Sequence, residues 1–327
     1  VTKAATLLSA LAGAAARRPL RVLALALVLA LAGALLALRL APSAATSTFV
    51  SSSSAEYSAT QGFYDRFGEE PVEVLVKGNL QQLVLSSDIA RLVGLEGCLS
   101  GNVPVAALAQ VGGADGPCGQ LVRAHSVKIV LGPGTFVNEA ATQIDERLAD
   151  QTAQAHAQAK QAEQVVRRAA LARGLSSASA SALAKQAGRI TIARFEESLA
   201  VLALQYGLRA RPSLADPNFV STLIFDQTKP PGTPKQRFAY LFPSAHAALI
   251  SVRMRSGLSE ATRSRTISLI RRAVAMPQWH LAHGESYLVT GQPAIVSDLR
   301  KSITSSLELL LIAVVIVMAL TLGLVFG

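Results

Sequence analysis

The sequence predicts a membrane α+β protein in which two transmembrane helices flank a ferredoxin-like (βαββαβ) domain with an inserted long α-helical hairpin. Three observations predict it. A charge-free apolar run lies near each end, short alternating apolar stretches surround helical patterns between them, and an Ala- and Gln-rich segment keeps a helical period from about Asn138 to Gly207. Half of the 327 residues are hydrophobic and only 16% are charged, so the apolar excess needs a home beyond one water-facing core.

Val22–Leu38 and Leu309–Phe326 supply that home, because each is about the length that crosses a hydrocarbon core of roughly 30 Å as a helix. A helix satisfies its own backbone, which lipid cannot do. Lys3, Arg17, Arg18 and Arg21 precede the first run without an acid, which places the N-terminus in the cytoplasm and the long connection outside. Arg300 and Lys301 run against that orientation, but a connection this long translocates largely regardless of charge. A cleaved signal peptide is the alternative for the first run. The small residues of Ala41–Ser47 fit a cleavage site, while the apolar run exceeds the usual 7–15 residues or so of such a leader.

Residues 41–62 are rich in Ser, Thr and Ala and read as a connector. Val72–Gly78 alternates as a half-buried strand, and Ser86-Ser87-Asp88 offers cap chemistry for a helix to about Leu95. A Gly-rich loop holding both cysteines follows, then a strand at Val127–Leu131 stopped by a turn at Gly132-Pro133-Gly134. Ile144, Leu148, Ala155, Ala159, Val166 and Ala169 mark one face of a long helix, which Gly174 can end and Ser176 or Ser177 can restart. The second arm carries Ile192, Phe195, Leu199 and Leu202, and an antiparallel pair would project roughly 50 Å. Two ordinary helices folded over the domain are the alternative. Phe219–Phe225, Phe238–Phe242, Ala247–Arg253 and Tyr287–Thr290 read as strands, and Ser259 caps a helix to about Ala275. Without the hairpin, the order approximates two strand–helix–strand halves. The resulting divisions are a cytoplasmic N-terminus (1–18), transmembrane helix 1 (19–40), two halves of the outer domain (41–137 and 208–300), the hairpin (138–207) and transmembrane helix 2 (301–327).

Cys98 and Cys118 are the only cysteines. In an oxidising compartment, two cysteines in one loop are candidates for a disulfide, which restricts the unfolded chain by roughly 3 kcal/mol; two free thiols are the alternative. No catalytic, metal-binding or cofactor-binding residue is assigned, and the chain is not read as an enzyme. There is no nucleophile elbow and no phosphate-loop lysine. Gly132-Pro133-Gly134-Thr135 reads as a turn rather than a phosphate site. His280, His283 and Glu285 lie close in sequence, yet metal binding needs a further ligand in defined geometry, and solvated side chains are the plainer reading. Neither apolar run has an ionisable group at its centre, and Glu308 sits at the rim of the second. The net charge of +10 partly reflects the N-terminal cluster and shows no basic stripe with interleaved aromatics, so no nucleic-acid partner is expected.

Several segments resemble resistance–nodulation–division (RND) exporters of the MMPL branch, in their actinobacterial form. They are Glu56-Tyr57 to Phe63, Phe67-Gly68, Pro71–Val76, Gly132–Phe136 with Asn138-Glu139-Ala140, Phe242-Pro243-Ser244, Ser251-Val252-Arg253, and Val289–Ala294 leading to Asp298-Leu299. Each is short; their order and the expected topology carry the resemblance over nearly the whole chain. It implies the N-terminal part of a proton-driven exporter of lipids or hydrophobic compounds, in a bacterial inner membrane, with the large domain outside as a first porter domain. It also implies that this chain is one piece of a longer protein. The implied partners are the bilayer, the remaining transmembrane helices and a second porter domain. The proton-relay acids of that family lie on later helices, so none is carried over here, and the substrate-binding residues are unknown. Whether the hairpin joins a homo-oligomer or an accessory protein stays open. The alternative function is a two-span membrane-anchored sensor or binding protein with an extracytoplasmic ligand domain.

Overall fold

The structure, a computed structural model, describes residues 53–205 and 212–326 together with Val28, Ala32 and Gly33. The first expected span apart from Val28, Ala32 and Gly33, the basic cluster before it and the end of the second hairpin arm at Gly207 lie outside the described residues. The chain divides into two units, Ala59–Ala294 and a second that contains residues 295–326.

Within Ala59–Ala294 the architecture is a four-stranded sheet in the order β2-β3-β1-β4, where β1 is Pro71–Lys77, β2 Val127–Leu131, β3 Ala247–Met254 and β4 Ser286–Thr290. All three neighbouring pairs are antiparallel, with Val74 opposite both Ile250 and Val289. Helices α3 (Asp88–Ser100) and α4 (Pro117–Ala124) lie between β1 and β2 in sequence, after the short α2 (Leu80–Leu85), and α8 (Glu260–Val274) lies between β3 and β4. Each crossover thus returns the chain parallel to where it began, and the two crossovers interleave.

The alternation of the strands decides which face is covered. Val72, Val74 and Val76 on β1 and Ala248, Ile250, Val252 and Met254 on β3 are fully buried. They meet Leu92, Leu95 and Leu99 of α3, Leu121 of α4 and Ile267 and Ile270 of α8 in one core. Each such side chain contributes about 1.5–3 kcal/mol by leaving water. The opposite face stays open. Leu288 there is 48% exposed and Leu131 39%, so apolar side chains on that face keep much of their area in water.

Two expected strands take other forms. Residues 219–224 belong to helix α7 (Pro217–Ile224), with Phe225 as its extended C-cap, because Asp216 accepts from the Asn218 N–H as its N-cap and Pro217 occupies the first turn. Phe238–Phe242 is a 3-10 turn over Gln236–Phe238 followed by a loop, with Leu241 and Phe242 buried as anchors rather than as ladder partners. The connector expected to Gly62 gives way earlier to helix α1 (Ala55–Phe67). The expected cysteine loop is largely helical, since α3 runs past Leu95 to Ser100 and carries Cys98, and α4 carries Cys118.

The hairpin consists of α5 (Pro133–Ala172) and α6 (Ser177–Gln205) packed along each other. It begins five residues before the expected Asn138, because Gly132 is the N-cap and Pro133 the first helical residue. At ~1.5 Å per residue α5 is about 60 Å long. Its seam is made of small side chains, with Ala155, Ala159, Ala180 and Ala184 at most 5% exposed. At Gly188 even a Cβ would stand 2.2 Å from the Glu163 carboxylate. The last helix, α9 (Gln292–Phe326), follows β4 after the single residue Gly291. Within Gln292–Thr321 an 18-residue stretch has mean hydropathy 2.5, and α9 is the one unbroken helix among the described residues long and apolar enough to cross a membrane. Helix α3 with the following turn is apolar enough only as a pair bent by 118°, and its leucines are already buried in the core.

Ala184→Leu should pry the seam apart. Overpacking of this kind costs about 1–3 kcal/mol, and protease nicking at the hairpin should increase while the fluorescence of the single tryptophan, Trp279 on the sheet domain, stays native. An unchanged nicking rate would contradict the close seam.

Candidate functional site

The open end of the core lies beside β4, an edge strand paired only with β1. A cleft of about 640 Å³ sits there, lined by Arg271 and Val274 of α8, His280 and Glu285 of the following turn, and Tyr287 and Val289 of β4. Tyr287 closes its inner wall. The phenol donates to the Trp279 carbonyl at 2.9 Å. Burial, and secondarily the Asp88 carboxylate, hold its pKa well above the ordinary value against the opposing Arg91 charge. Tyr287 therefore acts as a neutral donor and not as a base.

A polar cluster adjoins the cleft. Asp88, the first residue of α3, is fully buried. A charge in that position needs partners, and it has them. Arg91, one turn on, reaches Asp88 Oδ1 at 2.5 Å. The Ala282 N–H donates to both oxygens at 3.2 and 3.1 Å. His283 Nδ1 stands 3.4 Å from Asp88 Oδ2. Glu285 completes the group: its Oε2 accepts from the His283 N–H at 3.0 Å, while its Oε1 is shut off from solvent with no hydrogen-bond partner. One donor atom each from Asp88, His283 and Glu285 lies within 4.8 Å of the others. Glu285 can lie there because Gly78 has no side chain; a Cβ on Gly78 would stand 2.0 Å from Glu285 Cγ.

A second polar centre lies where the hairpin leaves the domain. Glu96 points from apolar α3 at the first turn of α5. The Gly134 N–H donates to Oε1 at 2.9 Å, the Thr135 N–H to Oε2 at 2.6 Å, and the Thr135 hydroxyl contacts Oε2. The Gly-rich segment thus turns the free N–H groups of a helix N-terminus toward an acceptor, and the acceptor is the chain's own carboxyl group. Its glycines allow the approach, since a Cβ on Gly132 would stand 2.4 Å from Glu96 Oε1 and one on Gly134 would stand 2.6 Å from the Val93 backbone nitrogen. Burial nevertheless dominates, raising the Glu96 pKa from 4.5 to about 7 against those three donors. Two residues on, Cys98 is joined to Cys118, with 4.9 Å between their Cα atoms, which fastens the end of α3 to α4.

Of the side chains singled out in the sequence, the structure brings His283 and Glu285 together with Asp88 and leaves His280 on the cleft wall. Glu308 is exposed on α9. Sequence reasoning missed Asp88 and Glu96. For Glu96 a signal was present: it is the one acid inside the apolar run Leu92–Leu99. In comparison with known proteins, no family model, no curated protein and no solved structure matches this chain.

Glu96 makes stability depend on pH. Unfolded, it releases its proton near 4.5, whereas in the fold it keeps it to about 7. The folded state therefore binds more protons in that window. The group's contribution is full below pH ~4.5 and is lost as pH rises through about 7, a change on the order of 3 kcal/mol. Urea unfolding of the detergent-solubilised chain, followed by Trp279 fluorescence, should show stability falling across this range. Glu96→Gln should flatten the slope, leaving the smaller part due to Glu73, whose pKa burial also raises. An equal slope in the variant would contradict the assignment.

Proposed function

We propose that this chain is the N-terminal part of a proton-driven RND exporter of the MMPL branch, which moves lipids or hydrophobic compounds across a bacterial inner membrane. In this reading the sheet domain is its first outer-face porter domain, of ferredoxin-like build, and α9 is its second transmembrane helix. The observation that carries the reading is the direct run from β4 through Gly291 into α9, which contains an 18-residue stretch of mean hydropathy 2.5 with none of that stretch buried by protein. A helix that apolar needs lipid or other helices around it.

The open face of the sheet supports the same reading. Ile129, Leu131 and Leu288 leave 38–48% of their area in water there. A second porter domain would cover that face or share a passage with it for an apolar substrate. Glu73 sits on the same face, where the Ser251 hydroxyl donates to it at 2.7 Å. The chain's part is to shape that passage. The energy comes from acids on further helices, because a proton relay needs an ionisable group enclosed within a helix bundle. The disulfide fits an oxidising outer compartment.

Two measurements test the reading. Gln158→Cys introduces a thiol on the exposed side of α5, and a membrane-impermeant maleimide should label it in intact spheroplasts. Labelling only after permeabilisation would reverse the topology. In vesicles under an imposed pH gradient, the chain alone should move neither protons nor a lipid-like dye above empty vesicles, whereas the longer protein carrying it should move both. Inactivity of that longer protein, or its absence from native membranes, would favour the sensor class instead.

A further inference from the structure

We infer that Asp88, His283 and Glu285 form a binding site for a divalent transition-metal ion, zinc by preference, which ties the turn before β4 to the start of α3. The site lies wholly within Ala59–Ala294.

The donor set is the first argument. Two carboxylates and an imidazole are hard-to-borderline ligands that suit zinc, and three protein ligands with one position left open is its common arrangement outside closed structural sites. The spacing is the second. At metal–ligand bonds near 2.0–2.1 Å, adjacent ligands of a tetrahedron stand about 3.3 Å apart. Asp88 Oδ2 and His283 Nδ1 stand 3.4 Å apart, and the third donor atom is within 4.8 Å of both.

The third argument is a polar atom without a partner. Glu285 Oε1 is sealed from solvent and accepts no hydrogen bond, although its sister oxygen does. Leaving a buried carboxylate oxygen unpaired is costly, and an ion between it, Asp88 and His283 would remove that cost.

The surroundings fit a supported ligand set. Asp88 divides its oxygens: Oδ1 takes Arg91 at 2.5 Å, and Oδ2 is the one facing the imidazole. The Ala282 N–H fixes the carboxylate plane from the turn itself. Partners of this kind orient the ligands and tune affinity. Gly78 supplies the space in which Glu285 lies. Because Glu285 also lines the cleft beside β4, an ion held here would stand at its edge.

Isothermal titration of the full chain in detergent with zinc chloride should give one ion per chain. Cobalt(II) in its place should give the visible ligand-field bands of a low-symmetry tetrahedral or five-coordinate site. Zinc should also raise the midpoint of thermal unfolding read from Trp279 fluorescence, as any ligand bound only by the folded state does. Glu285→Gln keeps the shape of the side chain, and His283→Ala changes an exposed ring, so neither should alter the circular dichroism. Each should weaken zinc by at least about tenfold, the least that loss of a coordinating or supporting group costs. His280→Ala, on the cleft wall but outside the triad, should bind as the parent does. No stoichiometric binding by the parent, or equal affinity in Glu285→Gln and His283→Ala, would overturn the inference.

Discussion

A carboxylate enclosed by leucines is expensive unless its surroundings supply donors, and Glu96 obtains them from one place, the first turn of the hairpin. That requirement fixes where a helix of 40 residues leaves the domain. Gly132 and Gly134 must be glycines for α5 to come so close to α3, and Thr135 must present a hydroxyl. Cys98, two residues on and on the other side of α3, is tied to α4, so the same helix is pinned on both sides. The hairpin is therefore held at its base by an interaction whose strength changes with protonation, while its own arms need only a seam of alanines.

The sheet contributes the other constraint, its one-sidedness. Alternation on β1 and β3 sends valines and isoleucines to the helices and leaves the far face half in water. Such a domain covers one face by itself and offers the other. Together with the bare apolar helix after β4, this arrangement underlies the reading as a porter domain.

Much of the architecture was legible because it rests on local periodicity. Val72, Val74 and Val76 alternate in the sequence and are buried in alternation, and Ser259 caps α8 by accepting from the Thr262 N–H. Short apolar runs were ambiguous, as periodicity alone cannot separate a five- to eight-residue strand from a buried helix. At Phe219–Phe225 the Asp216-Pro217 start was the local sign that a helix begins there. The polar centres were less legible for a different reason. Glu96 meets Thr135 across 39 residues and Asp88 meets His283 across 195, so neither pairing leaves a spacing in the sequence. What the sequence does carry is the oddity of a lone acid within Leu92–Leu99 and of two glycines flanking Pro133. Their common cause, a carboxylate docked on a helix start, needs the fold to bring them together.

Residue-level hydrogen exchange at the Gly134 and Thr135 amides tests this account most directly. First-turn amides of a helix ordinarily have no backbone acceptor, so protection there reports on Glu96 alone. The account predicts that both amides exchange as slowly as those of β1 in the parent chain and become fast in Glu96→Ala while β1 keeps its protection. Fast exchange in the parent, or protection that survives the substitution, would contradict it.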